Sequence, residues 1–162
     1  MKKFRGKRRY FHNLEKETHI ENHDLDFGED SWFDFWHTHL DFCGYGNYSI
    51  KTRKQHLKGL FNLFYELKEK LENWRNPYQI WIEISSNDAS MDAVFIHSPN
   101  PNEDNFPYKG LMNLVDVKSE IPSYLTEIID VEHYKIESYE NIDEDGRTDQ
   151  VFVIQLPDIK NL

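Results

Sequence analysis

Leu57, Leu60, Phe61, Phe64, Leu67, Leu71 and Trp74 recur at steps of three or four residues, so on a helix they fall along a single apolar stripe. On the polar side Glu66 and Lys70, and likewise Lys68 and Glu72, stand four apart and pair across successive turns. Thr52 followed three residues later by Gln55 has the form of a capping box, which predicts that the helix starts there. Pro77 lacks an amide hydrogen and turns its predecessor away from helical backbone, so the helix is expected to stop near Asn76.

The period then changes from helical to alternating. Tyr78, Ile80, Ile82 and Ile84 alternate with Gln79, Trp81, Glu83 and Ser85, the signature of a half-buried strand. Residues 92–98 offer a second strand beyond a polar connector, and the two together predict a hairpin. Upstream, residues 32–42 mix aromatic residues with polar ones at intervals of two or three, which suits a central strand covered on both faces. Gly44, Gly46 and Asn47 supply a turn between that strand and the helix. Residues 98–108 contain three prolines and three asparagines and read as a long irregular loop. Beyond it come a short strand in 111–117, a short helix in 119–129 with Pro122 in its first turn, and a second hairpin. That hairpin joins 132–140 to 151–156 around Asp145 and Gly146. This order predicts an α+β fold, a mostly antiparallel sheet of about five strands packed on one long and one short helix. Its arrangement is the split β-α-β or ferredoxin-like order with an extra strand. The apolar stripe covers one face of such a sheet and leaves the other partly open.

Composition adds limits. With 162 residues, 38% of them hydrophobic, the chain makes one core rather than two large domains. Six basic residues and no acid lie in 1–9, so 1–14 is expected to be a basic, mobile arm and 15–162 a single globular domain. Residues 15–30 are polar, with Ile20, Leu25 and Phe27 as their only large apolar side chains, and little core is expected of them. Overall the formal charge is −10, which disfavours nucleic acid and anionic membrane as partners. No apolar run approaches the roughly 20 residues of a membrane span. Cys43 is the sole cysteine, so an internal disulfide and a mainly thiolate zinc site are both excluded, and a cytoplasmic protein is expected.

Two groups of residues carry possible chemistry. His37, His39 and Asp41 alternate along the first strand and would line one face at intervals of about 7 Å, spacing from which adjacent pairs share a divalent transition metal. If that strand pairs antiparallel with 92–98, His97 lands near Phe35 or His37 and becomes a further ligand. Such an ion with an open coordination position would activate water for hydrolysis, under the 98–108 loop as a lid. The competing reading is that these histidines hydrogen-bond within an aromatic layer, that His97 ends a strand, and that no cofactor is needed. His56 lies beside the helical stripe, where it either reaches the 44–47 turn or packs at the boundary. Cys43 is read as a small buried hydrophobe rather than a nucleophile.

The second group is acidic. Residues 116–149 hold eleven acids against Lys118, Lys135 and Arg147. Tyr134, Glu137, Tyr139, Glu140, Asp143, Glu144, Asp145 and Asp149 form its expected binding surface, in which tyrosines anchor and acids steer a basic partner. A solvated face that serves solubility alone would have the same composition. Two functions follow. One is an acidic protein-binding domain that masks a basic partner such as a toxin or nuclease, in the manner of an immunity or antitoxin protein. The other is a small metal-dependent hydrolase built on His37, His39 and Asp41.

Overall fold

In the computed structural model the apolar stripe forms one face of a 21-residue helix, α1 (Ile50–Lys70), which starts two residues before the expected capping box. The structure describes residues 9, 12–13, 15–16, 18–19, 33–39, 49–87, 91–100, 102, 106–116, 121–142 and 144–156. Ser49 is the N-cap, and its hydroxyl accepts the Thr52 amide hydrogen at 3.2 Å. Thr52 therefore sits inside the first turn, and its own hydroxyl meets that of Ser49 at 2.9 Å. At the other end α1 tightens into a 3-10 turn, Leu71–Asn73, and Trp74 is already extended. The apolar residues from Leu57 to Leu71 are buried as the spacing predicts. The chain thus leaves the helix before Pro77 rather than at it. The Trp74 indole N–H donates to Ser98 Oγ at 2.8 Å, which ties this exit to the sheet.

The strands are β1 (Phe33–His39), β2 (Gln79–Ser85), β3 (Ala93–Ser98), β4 (Val115–Asp116), β5 (Lys135–Ile142) and β6 (Thr148–Gln155), and α2 (Ser123–Thr126) is one helical turn. All pair antiparallel in the order β1-β3-β2-β6-β5-β4. The fold is α+β, as the element order predicts. β1, α1 and β2 form a split β-α-β unit, because β3 returns by its hairpin between two strands that run parallel. The other three strands form a second group, joined to the free side of β2 through β6.

Two elements differ from expectation. β1 lies at one end of the sheet formed by the described residues, not in its centre. Its aromatic run satisfies an edge as well as a middle strand, because the faces of a strand are covered independently of its sides. The second hairpin is longer than expected, extending to Ile142 and back from Thr148, with polar residues beyond the core still paired in register. Gly146, at φ +76°, supplies the left-handed backbone of its turn.

Ile80, Ile82 and Ile84 of β2 face α1 together with Val94, Ile96, Ile136, Phe152 and Ile154, and with the helix stripe these make the main core. Upstream, Thr18 is buried with its hydroxyl donating to the Glu15 carbonyl at 2.6 Å. His19 Nδ1 lies 2.9 Å from Glu66 Oε1, so the described residues 18–19 sit against α1.

Candidate functional site: the acidic hairpin and the open face

Side chains that alternate with the core isoleucines project to the sheet face away from α1. Trp81 of β2 stacks on Phe95 of β3, with ring centroids 5.5 Å apart and planes at 10°, and Phe95 in turn meets His37 of β1 at 5.6 Å. Tyr108 folds over from the long loop and stacks on Trp81 at 5.4 Å. His97 lies under the same loop, 5.2 Å from the Tyr108 ring and 6.3 Å from that of Phe106. The Tyr108 amide donates to Gln79 Oε1, which fastens the loop to β2. Trp81 and His97 are consequently buried on the face expected to be open.

Beside this layer Glu83 accepts hydrogen bonds from Trp81 Nε1 at 2.9 Å and from the Tyr139 hydroxyl at 2.8 Å. Burial and the adjoining Glu83 carboxylate hold the Tyr139 phenol well above its ordinary value, so it remains a donor. Tyr139 is nonetheless 38% exposed. Glu140, Glu144 and Asp145 are exposed on the same β5–β6 hairpin, Glu140 on the opposite face of the sheet from Tyr139.

The remaining expected binding residues separate from this group. Glu137 is half-buried, 2.9 Å from Lys135 Nζ, and accepts from Gln155 Nε2 at 3.3 Å. Asp149 turns inward and accepts from the Ser85 and Ser86 hydroxyls and the Asn87 amide, so it fastens the β2–β3 connection. Tyr134 is buried on the α1 side, its hydroxyl against that of Tyr65. It borders a cavity of about 710 Å³ between α1 and the 3-10 turn Val131–His133. Asp143 lies outside the described residues.

Of the expected metal ligands, His37 is exposed on β1, where it pairs with Phe95, and His97 is buried two residues beyond Phe95 on β3. His39 pairs with Ala93, and Asp41 lies outside the described residues. Among the described residues no three of His, Cys, Asp and Glu are grouped closely enough to hold a metal ion. No described helix is long and apolar enough to cross a membrane.

A third cluster was not anticipated. Asp92, fully buried just before β3, is gripped by Arg53 of α1, with Nη1 2.7 Å from Oδ2 and Nη2 2.9 Å from Oδ1. Its Oδ1 also accepts the Ser85 amide at 3.0 Å, and buried His56 stands 3.5 Å from Oδ2. Arg53 Nη2 donates in addition to the Ser85 carbonyl at 2.7 Å, and the guanidinium lies 5.7 Å from the Tyr124 ring centroid. Burial pushes the Asp92 carboxyl above its ordinary value, against the opposing pull of His56, Arg53 and the Ser85 amide. Burial likewise raises the Tyr124 phenol. Enclosed in this way, the cluster fastens the first turns of α1 to the β2–β3 connection. The signal for it was the helix period itself, since Arg53, His56, Leu57 and Leu60 keep the i, i+3, i+4, i+7 spacing of one stripe.

Comparison with family models, curated proteins and solved structures gives no match to this chain.

Proposed function

We propose that the chain is an acidic protein-binding domain whose β5–β6 hairpin covers a basic surface of another protein, as an immunity or antitoxin protein covers a toxin or nuclease. The observation that carries this reading is that one hairpin exposes Glu140, Glu144 and Asp145 together with Tyr139, an aromatic residue held by Glu83. Exposed acids raise the association rate with a cationic partner, and a fixed tyrosine contributes contact area at little entropic cost.

The test compares the protein with its Glu140→Lys, Glu144→Lys, Asp145→Lys variant as bait for cell extract at low ionic strength. A basic protein should be retained by the parent chain, released as salt shortens the Debye length, and missed by the variant. Its nucleic-acid-directed activity should fall when the parent chain is added. Equal retention by the two baits, or retention indifferent to salt, would overturn the reading.

A further inference from the structure

β5 is paired along its whole length with β6, yet on its outer side β4 reaches only Glu137 and Ser138. Among the described residues no strand lies against that side of residues 139–142. Alternate backbone N–H and C=O groups there point away from the sheet, and such an edge is a template for another strand. Large exposed apolar side chains lie on β5, on β4 and in the turn that precedes β4. Met112, Val115, Tyr139 and Ile142 are half of the eight found among the described residues, at 63%, 64%, 38% and 66% exposure. Natural sheets close their edges with charge, most often lysine. Here the described charges on the edge and its turn are Glu140, Glu144 and Asp145 against Arg147, an acidic balance that disfavours an acidic strand and admits a basic one.

The alternation of β5 fixes what such a strand would carry. Tyr139 and Asn141 project to the face shared with Trp81, while Glu140 and Ile142 project to the other. A segment with apolar and basic residues in alternation lays the apolar ones beside Tyr139 and the basic ones beside Glu140, their methylene stems over Ile142. Resting on the partner-binding reading above, the geometry points to β5 as an acceptor edge: residues 139–142 take up, as an added strand, an extended segment of the basic partner in which lysine or arginine alternates with apolar residues.

Four probes separate backbone pairing from charge attraction: an octapeptide alternating lysine and valine, an octapeptide of lysine alone, and two versions of the alternating peptide N-methylated on every second residue, one in each frame. The alternating peptide should slow amide exchange within 139–142 roughly tenfold, whereas oligolysine binds without that protection. N-methylation in the frame that faces β5 should abolish the protection, and methylation in the other frame should preserve it. If both unmethylated peptides bind at low salt and lose binding to the Glu140→Lys, Glu144→Lys, Asp145→Lys variant, yet neither protects the edge, strand addition is wrong and the acidic-surface reading stands. Equal binding of the two methylated frames also overturns strand addition. Failure of both unmethylated peptides to bind at low salt removes the two together.

Discussion

Arg53 and Asp92 are the residues whose roles depend most on each other. A buried ion pair contributes little net stability when whole, but removing one partner leaves a charge with no compensation. Arg53→Met should therefore cost about 3–5 kcal/mol in urea unfolding, and adding Asp92→Asn should recover part of it. The loss should depend on pH in a definite direction. The Asp92 carboxyl already lies above 3.8 in the folded chain, so its contribution is fully present below that pH and lost as pH rises through the folded value. Removing Arg53 takes away an opposing pull and extends the loss upward, so the deficit of the variant should be smallest near about pH 4 and grow toward about pH 8. A deficit that shrinks over that interval would contradict the assignment of Arg53 as the partner of Asp92. At this scale the sequence marks which residues are acidic and aromatic, but not which of them stay at the surface. Tyr139, Glu140, Glu144 and Asp145 reach the surface of the β5–β6 hairpin. Asp149 and Tyr134 do not, because a one-dimensional acidic run carries no record of which carboxylates find hydroxyls and amides to bind.

Among the elements, α1 is the one the chain announces most clearly, and its start shows why boundaries are harder than bodies. Both Ser49 and Thr52 offer a hydroxyl, and only the position of the first turn decides which is the cap. Ser49→Ala should cost about 1 kcal/mol in thermal or urea unfolding, whereas Gln55→Ala should be close to neutral. The reverse order would restore the Thr52 box. The β5–β6 turn gives a second test. Gly146 is left-handed at φ +76° with no atom within 4 Å of an added Cβ, so Gly146→Ala should cost about 1 kcal/mol through backbone strain alone. The 98–108 loop was recognisable from its prolines and asparagines, but not its destination. Tyr108 settles on Trp81 through a stacking contact between residues 27 apart in sequence, which no local pattern encodes. Tyr108→Ala should consequently expose the Trp81 indole and shift tryptophan emission to longer wavelength. An unchanged spectrum would mean that Phe95 and Glu83 shield the ring by themselves.

For the whole molecule, charge and topology lead to separate expectations. Reversing Glu140, Glu144 and Asp145 to lysine changes the net charge by two units at each site, from −10 to −4. Because all three are exposed and reduced self-repulsion favours the compact state, the melting temperature should hold or rise even where binding is lost. A clear fall would place these acids in the folding energetics instead. The α+β class followed from element order, and so did the split unit of β1, α1 and β2. The attachment of the second strand group to β2 did not, since both sides of a buried strand offer the same hydrogen-bonding groups and a sequence marks neither.

That attachment has a consequence for biosynthesis. β6 joins the two halves of the sheet, pairing with β2 on one side and β5 on the other, and it is translated after every other described strand. On the ribosome, α1 and the β2–β3 hairpin emerge with Leu, Ile and Phe side chains exposed and with β2 lacking its second neighbour until Thr148–Gln155 follows. The nascent chain passes through a long interval with an uncovered apolar surface and an open strand, the state that chaperones bind and that aggregates most readily.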